Sequence, residues 1–335
     1  MEGLKTKTTA IANTNIALVK YWGKRDTNLI LPFNSSISMT LDKLYTKTTV
    51  EFSDSYRTHE IMIDGKKIEG EEYTRTVRHL EMLKEIADYK GYAKVVSENN
   101  FPTKAGIASS ASGFAALTLS ATKALNLHLD KKDLSILSRR GSGSASRSIE
   151  GGFVEWVKGN QSDGLDSYGK SLASKDHWPD LALIVTILDP RKKKTGSRAG
   201  MKQTVDTSPL YKTWLETVDE DLLQMKKAIL ERNFTLLGST AELNALKMHA
   251  TMHTTLPPLM YWKPESIVLI EEVMSFREKG VECYFTIDAG PQIKILCLDK
   301  DVPTLEKRLS ELTEVKSFIV CHAGDEARLS NEHLF

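Results

Sequence analysis

The segment LALIVTIL, residues 181–188, is a run of aliphatic and β-branched residues with no charge. It reads as a central strand, because only a strand covered on both faces buries every side chain it carries. A boundary near Asp180 follows, where a polar, Gly- and Ser-containing stretch gives way to new apolar sequence. At 335 residues the chain exceeds what one core usually serves. The expectation is two closely packed lobes, 1–180 and 181–335.

Strand and helix signals mix around this run. TTAIANTNIALV near the N-terminus reads as a strand. KTTVEFS (47–53) and HEIMIDG (59–65) alternate in the strand period across a polar link, which predicts an antiparallel pair. In EEYTRTVRHLEMLKEIADYKG, Val77, Leu80, Leu83, Ile86 and Ala87 recur at helical spacing, and Gly91 stands where a stop belongs. The strand YAKVVSE, the loop NNFPTKAGIASSASG and a buried helix FAALTLSATKALNLHL come next. Later helical patterns run over about 209–232, 235–248 and 265–279, then the strands VECYFTI and QIKILCL and a last helix, VPTLEKRLSEL. The regular βαβ alternation of a doubly wound sheet is missing, so the fold class is α+β.

A 41% apolar share with 27% charged residues spread along the chain is that of a globular, not a disordered, protein. The net charge of +1 argues against a global nucleic-acid-binding field, so any anion site is local. Cys283, Cys297 and Cys321 are odd in number and lack metal-ligand spacing, which fits a reducing compartment and makes the cytoplasm the expectation. The first residues carry no secretory h-region, and no apolar stretch approaches membrane-spanning length. The ending EHLF is no address signal.

Five segments have chemistry in them. PTKAGIASSASG, from Pro102 to Gly113, offers small residues that let backbone N–H groups approach an anion, serine donors, and the positive end of a helix. Its spacing fits neither the P-loop nor the Rossmann fingerprint, and a flexible loop is the bland alternative. GSGSASRS, 141–148, reads as a donor-rich tight turn within the fold, with Arg147 as a planar fork for a carboxylate or phosphate. In TIDAGPQIK, Asp288 stands where an apolar strand ends, a place that holds a carboxylate rigidly at a cleft, although Asp before Ala-Gly-Pro is more often turn chemistry. The basic stretch RKKKTGSRAGM is by itself a solvated loop, yet Ser197, Arg198, Gly200 and Met201 form a compact set for a polyanion. NIALVKYWGKRD ends a strand in Lys20, Tyr21, Trp22 and Lys24, either facing a ligand or packed with wet tips.

Taken with LPFNSSISMTLD, TSPLY and IEGGFVEW, these motifs resemble, in content and order from about residue 10 to 290, the mevalonate diphosphate decarboxylases of the galactokinase/homoserine kinase/mevalonate kinase superfamily. The resemblance implies a two-lobed fold with its active-site cleft between the lobes, and a homodimer. It implies use of ATP and Mg2+ to phosphorylate the tertiary 3-hydroxyl of (R)-5-diphosphomevalonate. Phosphate then departs, and carbon dioxide is lost to give isopentenyl diphosphate. Asp288 matches the family's catalytic aspartate and Lys20 the lysine beside it, which keeps the aspartate ionised. Arg147 matches the arginine that grips the substrate carboxylate, with Asn15 beside it and Ser142 and Ser144 in the same turn. Tyr21, Lys24, Ser197, Arg198 and Met201 fall on positions that hold the diphosphate end. Pro102, Gly106, Ala108, Ser109 and Ser110 match the nucleotide-phosphate loop. Direct metal ligands are not implied for particular residues.

Two departures stand out. The family usually carries Asn after DAGP, where this chain has Gln292, then Ile293 and Lys294, so a polar contact there is altered. Arg198 falls where members carry either Thr or Arg. Rival readings are a phosphomevalonate or bisphosphomevalonate decarboxylase, a 3-kinase that stops before decarboxylation, and a non-catalytic nucleotide or metabolite sensor. Lys24 and Arg198, with Lys192 to Lys194, lean towards a tail of two phosphates.

Overall fold

The computed structural model describes residues 7–101, 109–188 and 195–335. Pro102, Gly106 and Ala108, and likewise Lys192 to Lys194, lie outside the described residues.

The first sheet is built from the N-terminal half. A long strand β1 (Lys7–Val19) is followed by a small ribbon of β2 (Lys24–Asp26) and β3 (Leu31–Pro32), then by the 18-residue β4 (Ser36–Ser53). After β5 (Glu60–Ile63) and β6 (Lys66–Lys67) come helix α1 (Gly70–Ile86), β7 (Tyr92–Asn99), α2 (Ser109–Ala124) and α3 (Lys131–Gly141). A 3-10 turn over Gly143–Arg147 leads into β8 (Phe153–Trp156) and β9 (Gly169–Ala173). β1 and β4 pair antiparallel through most of their length, with register shifts between Asn13 and Asn15 and between Ala17 and Val19. Such bulges bend a strand and re-aim its side chains, here next to Asn15 and just before Lys20.

The expected antiparallel pairing of 47–53 with 59–65 does not form. β7 lies between them, antiparallel to β4 and parallel to β5. β7 brings Val95 and Ala93 to the buried face beneath α1 and α2, in the core that Ile61 of β5 also joins. Gly91 is not the helix stop. The helix ends at Ile86 with Ala87 as its C-cap, and a side chain at Gly91 would meet the Ser53 carbonyl at 2.8 Å, so the glycine serves a close approach.

LALIVTIL forms β10 (Leu181–Ile187). After it come α4 (Ser197–Thr207), α5 (Tyr211–Glu231), α6 (Phe234–His253), α7 (Pro264–Glu278), β11 (Tyr284–Ile287), β12 (Ile293–Leu298), α8 (Val302–Glu311), β13 (Ser317–Cys321) and β14 (Arg328–Ser330). The second sheet has the antiparallel order β11-β12-β10-β13. β10 is interior, and both its faces are covered. Leu181, Leu183, Val185 and Ile187 join α5 and α6 in one core, while Ala182 and Ile184 join α7 and α8 in another. Period-2 alternation between two apolar layers is the reason the run has no polar side.

The core containing α5 and α6 also takes in Ile16, Leu18 and Val19 of β1 and Ile37 and Met39 of β4. These two helices therefore pack between the sheets and reach the ends of both β1 and β11. The last strand, β14, returns to the first sheet beside β1.

Candidate active site

The even-numbered residues of β11 and β12 face α6. Tyr284 and Leu296 belong to that core, Thr286 pairs with Lys294, and Asp288 continues the same side one residue beyond β11. This places Asp288 against two lysines. Lys20 Nζ, just past the end of β1, donates to Asp288 Oδ1 at 2.9 Å, and Lys294 Nζ lies 3.0 Å from Asp288 Oδ2. The two ammonium groups are shut from solvent, with 2% and 1% of their side chains exposed, whereas Asp288 keeps 28%. The carboxylate is the part of the triad that a ligand can reach. Burial alone would raise its pKa, but the charges and hydrogen bonds of Lys20 and Lys294 hold it well below the usual carboxylate range. Burial pushes Lys20 down to about 8, although Asp288 pulls the other way.

The predicted Asp288–Lys20 pair is thus brought together. Lys294, seen in the sequence only as a departure, is its second partner. Gln292, the other departure, accepts from the Leu188 backbone N–H at 2.6 Å and ties the turn after Asp288 to the end of β10.

Arg147 is almost wholly buried beside this centre, close enough that the Asp288 charge acts on it. Burial lowers its guanidinium to about 10, against the pull of Asp288, so it is a cation at neutral pH. Its Nε donates to Ser38 Oγ at 3.0 Å and Asn15 Oδ1 at 3.2 Å, and its Nη1 to Ser36 Oγ at 2.6 Å. Asn15 in turn donates to the Ser144 carbonyl and to Ser148 Oγ, at 3.0 and 2.8 Å. Ser36 and Ser38 alternate on one face of β4, a parity legible in NSSIS that sequence reasoning left unused.

After Lys20 the chain turns sharply at Gly23, whose φ is +102° and where a side chain would strike the Tyr211 hydroxyl. Trp22 does not face the centre. It is buried, donates to Thr204 Oγ1 at 3.0 Å and packs edge-on to Tyr261, so it anchors the segment to α4. Tyr21 packs edge-on against Trp156 at 4.6 Å, and its buried hydroxyl has no hydrogen-bond partner among the described residues. Burial pushes that phenol up, so it stays protonated and free to donate. Burial and then Arg198 lower the Lys24 pKa, which puts the two cations near one another. Ser197, Arg198 and Met201 lie in the first turns of α4, and Met201 packs on the central core. Arg198 reaches across to Glu71 of α1 at 3.5 Å, a long, partly exposed pair of little energetic weight. Arg198 acts electrostatically on both Tyr21 and Lys24, which places the three groups near one another.

Ser109 opens α2, and Ser110 Oγ lies 3.2 Å from Ser142 Oγ, which is 3.4 Å from Ser144 Oγ. This hydroxyl line connects the start of α2 to the turn that carries Arg147. Beside it a cavity opens between α1, α2 and the sheet, with Ile61, Val95 and Phe114 as apolar walls and Ser97, Asn99 and Ser110 as polar ones. Sequence reasoning missed this cavity, whose walls come from segments scattered from Thr46 to Leu117. An apolar slot ending at a helix N-terminus with hydroxyls fits a nucleoside and its phosphates. Among the described residues no group of three His, Cys, Asp or Glu side chains gathers as a metal site. Mg2+ takes oxygen ligands and keeps several waters while riding on substrate phosphates, and the hydroxyls of Ser110 and Ser142 are oxygen donors beside this cavity.

Comparison with known proteins agrees with this geometry. A family model described as the diphosphomevalonate decarboxylase-like N-terminal domain matches residues 12–169, and one described as the mevalonate 5-diphosphate decarboxylase C-terminal domain matches 183–332. The diphosphomevalonate decarboxylase of Bos taurus is 39% identical over 314 residues, 88% of this chain and 77% of that protein. The crystal structure of mevalonate diphosphate decarboxylase from Staphylococcus aureus has a TM-score of 0.93 at 41% identity, covering 98% of this chain and 99% of that one. A further structure, in complex with MVAPP, AMPPCP and magnesium, has a TM-score of 0.91 at 42% identity, covering 97% of this chain and 98% of that one. Motifs, architecture and site converge with these matches, and the chain belongs to the diphosphomevalonate decarboxylase family.

Proposed function

We propose that the protein binds ATP and (R)-5-diphosphomevalonate, transfers the γ-phosphoryl group to the tertiary 3-hydroxyl, and releases phosphate and carbon dioxide to form isopentenyl diphosphate. The observation that carries this reading is the solvent-facing Asp288 carboxylate between Lys20 and Lys294, with Arg147 alongside. A carboxylate so heavily paired is a weak base. Phosphoryl transfer through a loose transition state needs no strong one, because the hydroxyl proton becomes acidic only as the new P–O bond forms. Asp288 orients the hydroxyl and accepts its proton, while Lys20 faces the charge on the phosphoryl oxygens. Arg147 holds the carboxylate to be lost, and Asn15 and the serines fix the arginine. Tyr21, Lys24, Ser197, Arg198 and Met201 receive the diphosphate end. Ser109 and Ser110, with Pro102, Gly106 and Ala108, cradle the nucleotide phosphates, and Mg2+ supplies charge neutralisation on them.

The lobes divide at 1–180 and 181–335, a division supported by family matches that stop at 169 and resume at 183. A homodimer is part of the proposal and is tested by light scattering. A cytoplasmic setting is supported by three buried, unpaired cysteines.

The test is a coupled measurement of ADP and carbon dioxide with mevalonate, its 5-phosphate and its 5-diphosphate. Equal release of both products from the diphosphate alone is expected. ADP from all three without carbon dioxide overturns the reading. A pH profile adds a second check. Lys20 acts as an ammonium and titrates near 8, so kcat/KM falls as pH rises through that region. In Lys20→Arg the guanidinium stays charged, and the alkaline limb moves to higher pH. A limb that stays in place belongs to another group.

A further inference from the structure

We infer that Asn244, held by Asp221 and Lys247, is a positioning residue that fixes the main chain of Lys20 and so aims its ammonium at Asp288. Lys20 stands one residue past β1, outside the strand ladder, and both its backbone polar groups are satisfied by asparagine side chains. Its N–H donates to Asn244 Oδ1 at 2.7 Å, and its carbonyl accepts from Asn34 Nδ2 at 2.8 Å. Asn244 is completely buried on α6. Its Nδ2 donates to Asp221 Oδ2 on α5 at 2.7 Å, and Lys247 Nζ closes on the same carboxylate at 2.6 Å and on Thr217 Oγ1 at 3.1 Å.

The network has one sense. A carboxylate only accepts, so Asp221 obliges Asn244 to present its NH2 to α5 and its oxygen to Lys20. Lys247 balances the charge that this places inside the protein. The contact is to the backbone of Lys20, while its ammonium is left to Ala17 O and Asp288. Without the amide oxygen, the Lys20 N–H is a buried donor with no partner, and Asn34 alone holds the Lys20 main chain between the end of β1 and the anchored Trp22. A displacement of about 1 Å in a reacting constellation costs up to about a hundredfold in rate.

The inference rests on the phosphoryl-transfer reading for its kinetic arm only. Wild type, Asn244→Ala, Asp221→Asn and the swap Asp221→Asn/Asn244→Asp are compared for ADP and carbon dioxide release from 5-diphosphomevalonate. We expect kcat to fall by about thirtyfold in Asn244→Ala and about tenfold in Asp221→Asn, with both KM values within about threefold. The swap keeps an acceptor for Lys20 and the hydrogen bond between positions 221 and 244, and brings kcat back to within about threefold of wild type. A single variant with unchanged kcat, or a swap no better than the singles, overturns the inference. Should Asn244→Ala not fold, Asp221→Asn and the swap decide alone. The second arm needs no turnover. The Cε NMR resonance of Lys20, assigned by its loss in Lys20→Arg, moves in each single variant and returns in the swap. An inactive wild type would count against the proposed reaction, and a Lys20 resonance unmoved by the single substitutions would count against the positioning role.

Discussion

Asp288→Asn lowers kcat by about a thousandfold, with ADP and carbon dioxide release falling together and nucleotide affinity unchanged within about threefold. The amide keeps the shape of the carboxylate but cannot take the hydroxyl proton, and it no longer neutralises two cations. Those cations are the second half of the prediction. Lys20 and Lys294 are shut from solvent, and breaking a buried ion pair from one side costs about 3–5 kcal/mol. Part of that loss is relieved because Lys20, already pushed down to about 8, sheds its proton readily. Thermal melts therefore show a lowered Tm as well as lost turnover, and the two effects must be separated. Asp288→Asn/Lys294→Met removes one of the unmatched charges. It recovers much of the Tm and none of the rate. A double variant that regains turnover would mean that Asp288 acts through charge balance, and retained turnover in Asp288→Asn alone would move the base elsewhere.

What was legible in the sequence were features that a single segment carries whole. LALIVTIL announced β10 because both faces of that strand are covered, which leaves no place for a charge, and its one hydroxyl, on Thr186, is bonded to the Ile293 carbonyl. Asp288, Lys20, Arg147 and Asn15 were found through motifs, and the fold brings all four together. What escaped was what two segments make jointly. The β4–β7–β5 order depends on a strand arriving after a helix, and local alternation at 47–53 and 59–65 cannot announce that insertion. Lys294 was within reach. Pairing FTI with IKI across the AGPQ turn puts 286, 288 and 294 on one face by parity alone. Asn244 was not, since a polar residue on the helix ELNALKMHA carries no mark of touching a backbone amide 224 positions away. The wall of the cavity between α1, α2 and the sheet was invisible for the same reason. Trp22 was open between packing and contact, and its hydrogen bond to Thr204 decides for packing.

Arg147→Lys is the second large effect, and it bears on how the carboxylate to be lost is recognised. Ser36, Ser38 and Asn15 take up Nε and one N–H of Nη1, and among the described residues that leaves the Nη2 edge of the fork for a ligand. A lysine keeps the charge but offers a compact ammonium on a flexible stem, so both the three-point anchorage and the two-pronged edge are lost. With each charge-assisted hydrogen bond at about 1.5–3 kcal/mol, losing two costs about 3 kcal/mol or more, or at least about a hundredfold in kcat/KM for the diphosphate substrate. ADP and carbon dioxide fall in parallel when Arg147 sets the pose from which the hydroxyl is phosphorylated. The control is an analogue in which a hydroxymethyl group replaces the carboxylate. Wild type and Arg147→Lys release ADP from it at similar rates, because the group that the fork grips is no longer present. Were the variant to lose as much on the analogue as on the acid, the arginine would be serving the fold around Ser36 and Ser38 rather than the carboxylate. The ratio of the two losses, which cancels any general damage to the site, is therefore the quantity that assigns Arg147.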